Sequence, residues 1–482
     1  MSRSPFWHPV FWRLALSIWL VYLFHFRHLA AGSDRFVILV QALVERGTID
    51  LAYYASEPFY QPFLVDIFDY GDRTLININP GLAFLAVPAW ACTFFFYQFW
   101  PVDAVGRHEA IHYWLTHFVS FATTTALFSA LTAWLIAGFV YQRCQNLSRA
   151  VFAALLYSFG SIAFFFSTRL NQNIAITFVA IAVFILLFAP ELLGWRSPRW
   201  PLAAIGFLLA WGWFIDATVL PVLLVAGGVL SWRYRRAIAT LRLLCLGAFP
   251  PLLGQLLYNH MAFGNPLWPT TAVIAQLEAE SLASTRLGFS SFDFQSLGTY
   301  LFSPEAGLFI YMPYIGMSVF YFLHHWRETR RLQPAEKWFI TFSFGFYLLL
   351  IGTIPATYLY SLFGPRYLLP MLPFFCVIFS LYLRRRELQL AVVLVGLSFV
   401  LNLAGAQLGN DTSSALLTLG VYAVKGPWLP VLDWLQSDFA TITGFSPSFV
   451  TPWGLLLMLA FCLTAIWLPY GLQRQRPGAS GG

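Results

Sequence analysis

Thirteen apolar runs, most of them 17 to 20 residues long, punctuate this 482-residue chain. A helix needs about 20 such residues to cross the hydrocarbon of a bilayer. The runs lie near residues 11–30, 81–100, 113–141, 150–166, 173–192, 200–216, 218–231, 243–259, 307–324, 338–355, 366–383, 388–406 and 452–471. Only 10% of residues are charged, against roughly 25% in soluble domains, so a soluble enzyme, a disordered chain and a collagen-like repeat are excluded. Aromatic residues make up 19%, which suits rings seated at lipid interfaces. Within the first run Arg13 precedes an apolar core that Ala30 and Ala31 follow, as in a secretory signal; with a dozen runs downstream it is read as an uncleaved helix.

The net charge of +7 does not mark a nucleic-acid binder, because the basic residues form no single patch. They fall in short clusters between apolar runs, and such clusters mark cytoplasmic loops. Arg3 and Arg13, Arg143 and Arg149, Arg196 and Arg199, Arg233 to Arg242, Arg327 to Lys337, Arg384 to Arg386, and Arg474 with Arg476 together hold 19 of the 28 Lys and Arg. These loops share one side only if one early run fails to cross. Residues 81–100 are the best candidate, since Pro80 and Pro88 interrupt their start and no basic cluster flanks them. The expected fold is all-α and polytopic, with about twelve transmembrane helices, outer juxtamembrane helices and both termini cytoplasmic. Of the 21 acids, 17 then lie outside. Residues 1–406 form the core with its outer segment 31–112, residues 407–451 an outer loop, and residues 452–482 the last helix and tail. The chain is an integral multi-pass protein, in the inner membrane if bacterial. Cys92, Cys144, Cys245, Cys376 and Cys462 show no paired spacing, and buried inert thiols are expected.

Long external segments place the chemistry on the outer side. The first opens with Ser33-Asp34-Arg35-Phe36 and continues as a helical pattern to Gly47. It closes with Tyr70 to Gly81, a turn, a short strand and a break. Asp34 is thereby held on the rigid end of a span, where a plain N-cap is the bland alternative.

An acid just past helix one, an amphipathic helix ending in Gly, and the segment Asn77-Ile78-Asn79-Pro80-Gly81-Leu82 together resemble the C-type glycosyltransferase superfamily, which includes protein mannosyltransferases and the lipid A aminoarabinose transferase. Further echoes are Phe214-Ile215-Asp216, Tyr258-Asn259-His260, Ser303-Pro304-Glu305, and Phe363-Gly364-Pro365-Arg366-Tyr367. Where many relatives carry a second acid after the third helix, this chain has Ser167-Thr168-Arg169-Leu170-Asn171-Gln172-Asn173, a departure that bears on metal binding. The resemblance implies sugar transfer from a polyprenyl-phosphate donor to a lipid, glycan or protein acceptor, in contact with membrane lipids and without nucleic acid. Asp34 would be the catalytic base. Arg366 and Arg169, then Tyr258 and His260, would bind the donor phosphate. No residue is assigned to a metal; the cofactor is left open, a divalent ion being one way to supply the positive charge that Arg side chains also supply.

Two rival classes remain at this stage. His108-Glu109-Ala110-Ile111-His112 matches the H-E-x-x-H pattern of zinc proteases, although no third ligand is evident. His25 and His28 read as interfacial side chains. A transporter would show internal repeats and ionisable residues deep in its spans, and neither is apparent.

Overall fold

All thirteen apolar runs fold as helix. The computed structural model describes residues 8–28, 30–99, 108–195, 199–234, 238–268, 270, 273, 292–354, 363–408, 414–426, 428–433, 435–436 and 451–474. Its principal elements begin with α1 (Pro9–Phe24), α2 (Ala30–Gln41), the strands β1 (Ile67–Tyr70) and β2 (Arg73–Ile76), α3 (Gly81–Tyr97) and α4 (His108–Phe121). Next come α5 (Leu127–Cys144), α6 (Leu147–Phe159), α7 (Gln172–Phe188), α8 (Arg199–Ile215), α9 (Leu220–Tyr234) and α10 (Ile238–Phe263). The remainder are α11 (Tyr314–His324), α12 (Pro334–Gly352), α13 (Leu372–Tyr382), α14 (Leu388–Leu408), α15 (Ala415–Lys425) and α16 (Pro452–Arg474). Among the described residues four helices are long and apolar enough to cross a membrane, namely Glu109–Cys144, Thr240–Phe263, Arg385–Leu408 and Trp453–Tyr470, and shorter apolar helices accompany them. The architecture is that of a multi-pass membrane protein. The antiparallel hairpin β1–β2, turned at Gly71 with φ +62°, corrects the all-α expectation to mostly helical.

Helices that are apolar all round belong in the middle of a bundle, and α7 and α13 are buried along nearly their whole lengths. Close backbone packing ties α8 to α10. A Cβ on Gly206 would lie 2.1 Å from the Leu244 carbonyl oxygen, and one on Gly247 would lie 1.8 Å from that of Ala203. Small residues allow such an approach where lipid offers no hydrophobic drive between helices. At the periphery α16 runs antiparallel to α1, with Trp467 Nε1 donating to Ser17 Oγ at 3.0 Å and the Arg13 guanidinium over the Tyr470 ring. The expectation of buried thiols is corrected: only Cys376 is buried, while Cys92 and Cys245 are exposed. On a membrane protein an apolar run has a lipid face as well as a core face, so small apolar side chains occupy both.

Hydrogen bonds gather the basic loops at one end of the bundle. Arg143 pairs with Glu336, Arg149 donates to the carbonyls of Ser380, Leu381 and Leu383, Arg233 to that of Leu187, and Arg384 meets His325. The opposite, far end holds α2, the hairpin and α3. The first residue of α3 abuts the last turn of α8, where a Cβ on Gly81 would lie 2.5 Å from the Phe214 backbone. Its last turns rest on His112 in the first turns of α4. Helix α3 therefore bridges the far ends of two other helices.

Candidate active site

Helix α2 places Asp34 inside its second turn, not at the N-cap, because the helix already begins at Ala30. Asp34 is almost wholly buried, at 1% exposure. Its Oδ1 lies 2.7 Å from His28 Nε2 and accepts a hydrogen bond from the Tyr113 hydroxyl at 2.6 Å. His117 completes the cluster from the next turn of α4, on the same face as Tyr113 because i and i+4 align. Rings enclose the group: Phe63 stacks on Tyr113 at 4.3 Å, and Trp114 meets the His28 ring edge-on at 5.0 Å. His28, partly exposed, is the direct partner of Asp34.

The height of this cluster follows from helix length. Residues 109–144 form one continuous helix of 36 residues through a π-helical stretch at Ala122–Ala126. Such a rod is about 54 Å long, whereas the hydrocarbon core is about 30 Å thick. With Arg143 at the basic end, the turns that carry Tyr113 and His117 stand near or above the opposite interface.

Arg35, the neighbour of Asp34, projects about 100° away around α2 and serves a second cluster. Its Nη1 donates to Asp66 Oδ2 at 2.7 Å and to Asn77 Oδ1 at 2.9 Å. Asp66 sits just before β1 at φ +62°, a left-handed conformation that Asp tolerates better than most residues. The Asn77 amide nitrogen donates to the Asp66 carbonyl at 3.0 Å, which closes the base of the hairpin. Burial lowers the Arg35 guanidinium from its ordinary value, Asp66 and Asp216 raise it again, and Arg366 adds to the depression. Two acids and two arginines therefore act on one another at the far end. Arg366 is half-buried and stacks on Tyr367, to whose hydroxyl it donates at 2.9 Å. Asp216 caps the turn after α8 through the Thr218 amide and accepts from Gln172 at 3.3 Å.

The other residues singled out from sequence disperse. Arg169 is fully enclosed, donating to the Phe165 carbonyl at 2.7 Å and to Thr168 Oγ1 at 2.8 Å, with its guanidinium 3.7 Å above the Phe165 ring. It does not snorkel to a headgroup region. The stack of Phe165 on Phe363, centroids 4.8 Å apart, links it to the turn that carries Arg366. Tyr258 is buried edge-on against Phe84. His260, two residues on and so about 200° around the helix, is exposed and stands outside the enclosed clusters.

The H-E-x-x-H segment resolves differently from the protease pattern. His112 Nδ1 lies 3.4 Å from Glu45 Oε2, inside a cage of Trp90, Phe94 and Tyr97. Trp90 Nε1 donates to the other oxygen of Glu45 at 3.2 Å. Burial, with Glu45 nearby, raises the phenols of Tyr54 and Tyr60 well above their ordinary value, so they stay protonated around that carboxylate. The side chain of His108 lies outside the described residues. Among the described residues the metal-ligating group that does converge is His28, Asp34 and His117, with ligand atoms within 4.8 Å of one another. A zinc tetrahedron needs edges of about 3.4 Å, set by bonds of about 2.0–2.1 Å. The 2.7 Å contact already joins two of the three donors, so the arrangement fits a hydrogen-bonded dyad better than a metal centre.

Tyr113, His117, Arg35, Asp66 and Glu45 escaped sequence reasoning. The one local signal was the i, i+4 spacing of Tyr113 and His117 on an otherwise apolar helix face. No family model and no curated protein matches the chain. Among solved structures, that of ArnT from Cupriavidus metallidurans bound to undecaprenyl phosphate is similar over 96% of this chain and 75% of that one, at 14% identity and a TM-score of 0.49.

Proposed function

We propose that this chain is a membrane glycosyltransferase, moving a sugar from a polyprenyl-phosphate donor to an acceptor hydroxyl at the far end of the bundle. That end is assigned to the outer face by the positive-inside rule, with about twelve crossings, α3 lying along the surface and both termini cytoplasmic. The observation that carries the proposal is the pairing of a buried Asp34 with a His28 that is 23% exposed, so that the carboxylate orients an imidazole that an acceptor can reach.

An ionised carboxylate only accepts hydrogen bonds. His28 therefore holds its proton on Nε2, facing Asp34, and leaves the Nδ1 lone pair as the base. As the acceptor oxygen bonds to the anomeric carbon, its proton passes to Nδ1. The bond from that carbon to the phosphate oxygen breaks, and its electron pair leaves with the lipid phosphate. Asp34 stabilises the imidazolium, in the role a carboxylate takes behind a catalytic histidine. Arg366 meets the phosphate through its planar fork, while Arg35 is already committed to Asp66 and Asn77 and fixes the field around it.

The test is transfer of a radiolabelled sugar from membrane lipid to acceptor, beside the yield of folded protein in detergent. Asp34→Asn keeps the shape but reverses the tautomer preference of His28. Transfer should fall by about 100-fold or more with unchanged yield, and His28→Gln should match it. Wild-type transfer in both variants would move the chemistry elsewhere.

A further inference from the structure

At the basic end, α6 and α14 flank a groove of about 830 Å³. Asn146, Ser148, Arg149, Arg384 and Arg385 line its mouth, and the walls beyond are Phe152, Leu155, Phe159, Val392, Val395 and Phe399. The groove thus has a cationic end and an apolar length.

No Asp or Glu lines the groove among the described residues. Arg149 is held by three neutral carbonyls, at 3.3, 2.8 and 2.9 Å, which fix its position and leave its charge whole. Arg384 meets His325 at 2.8 Å, and Arg385 is exposed. Glu387, held by the Tyr321 hydroxyl and the Arg384 amide, lies outside the lining and brings one negative charge beside three arginines, so the mouth keeps a net positive charge. Two helix N-termini open at the same mouth, adding partial positive charge.

The length fits one leaflet. From Arg149 to Gly160 the wall rises about 16 Å, and from Arg385 to Phe399 about 21 Å, at 1.5 Å per residue. Half the hydrocarbon core is about 15 Å. An acyl chain fills such a length, whereas a long polyprenyl chain exceeds it. Gly396 keeps the wall open: a Cβ there would meet nothing within 4 Å.

We propose that this groove is a binding site for an anionic diacyl phospholipid of the adjoining leaflet, with its phosphate among Arg149, Arg384 and Arg385 and one acyl chain along the apolar wall. Basic pockets between membrane helices hold acidic headgroups in this way.

Native mass spectrometry of the whole protein in detergent, titrated with defined lipids, tests it. Phosphatidylglycerol should be retained at least tenfold more tightly than phosphatidylcholine. The double variant Arg384→Gln/Arg385→Gln should lose that preference, and Gly396→Leu should weaken retention of phosphatidylglycerol by filling the groove. The first pair of changes is exposed and the second enters open space, so thermal melting without lipid should stay as in the wild type; a fall in melting for one variant leaves the other to decide. Equal retention of the two lipids, or unchanged preference in both variants, would overturn the proposal. So would protection by inorganic phosphate alone, or preference for a polyprenyl phosphate over phosphatidylglycerol.

Discussion

The two ends of the bundle use charge in opposite ways. At the basic end, cations saturate helix termini: Arg149 and Arg331 donate to carbonyls at the end of α13, Lys337 to carbonyls after α11, and Arg233 to the end of α7. Apart from a half-exposed contact of Arg331 with Glu328, the partners named are neutral, and these cations satisfy carbonyls that a helix end leaves without intrahelical donors. At the far end charges meet ionisable and aromatic side chains instead: His28 with Asp34, Arg35 with Asp66, His112 with Glu45 and Arg366 with Tyr367. Under the proposed function the difference would separate scaffolding from chemistry within one chain of few charges, and substitution at each end should expose it.

Glu336→Ala strikes the one buried ion pair of the basic end, leaving Arg143 without its carboxylate. Breaking such a pair costs about 3–5 kcal/mol, so thermal melting in detergent should drop steeply while sugar transfer per folded molecule holds. Loss of transfer with intact melting would dissolve the contrast between the ends. Arg366→Lys at the far end should do the reverse. The charge persists but the fork is lost, so the KM for the lipid donor should rise by about tenfold, roughly 1.4 kcal/mol, with kcat less affected and melting unchanged. Tyr113→Phe deletes one hydrogen bond to the Asp34 carboxylate, worth about 1.5–3 kcal/mol in stability for a charged acceptor, and because His28 keeps its own bond to Asp34 a few-fold slower kcat is the expected readout. His260→Ala should change neither transfer nor melting beyond about 0.5 kcal/mol; a large effect would mean that the far-end site extends to an exposed face of α10.

Much of the fold was legible because a run of apolar residues has few alternatives in a chain this poor in charge. The spans, the Gly47 stop at φ +65° and the turn around Gly71 all follow from local rules. The site was legible only where a local rule touched it. Asp34 stood out by following α1, and His28 lies only six residues before it, but Tyr113 and His117 reach it across some 80 residues of sequence, a juxtaposition that helix packing creates and no local spacing records. The H-E-x-x-H pattern drew attention to His112, whose actual partner is Glu45, while His117 one turn further along α4 reaches Asp34's cluster. The enclosure of Arg169 was hidden for a related reason: a charge at the end of an apolar run gives no local sign that neighbouring helices close over it.

The 36-residue helix that carries Tyr113 and His117 also acts as a ruler. Its far tip is set by a rigid length counted from Arg143, so the elevation of the Asp34 cluster above the bilayer midplane belongs to the protein, whereas the level of the headgroups belongs to the host membrane. Thicker bilayers submerge the cluster and thinner ones lift it clear, at a cost of a fraction of a kcal/mol per Å of mismatch. The lipid-anchored donor of the proposed function would then have to stretch or sink to meet a fixed station, and acyl-chain length in the surrounding lipid would become a dial on encounter, with no change in any residue of the site.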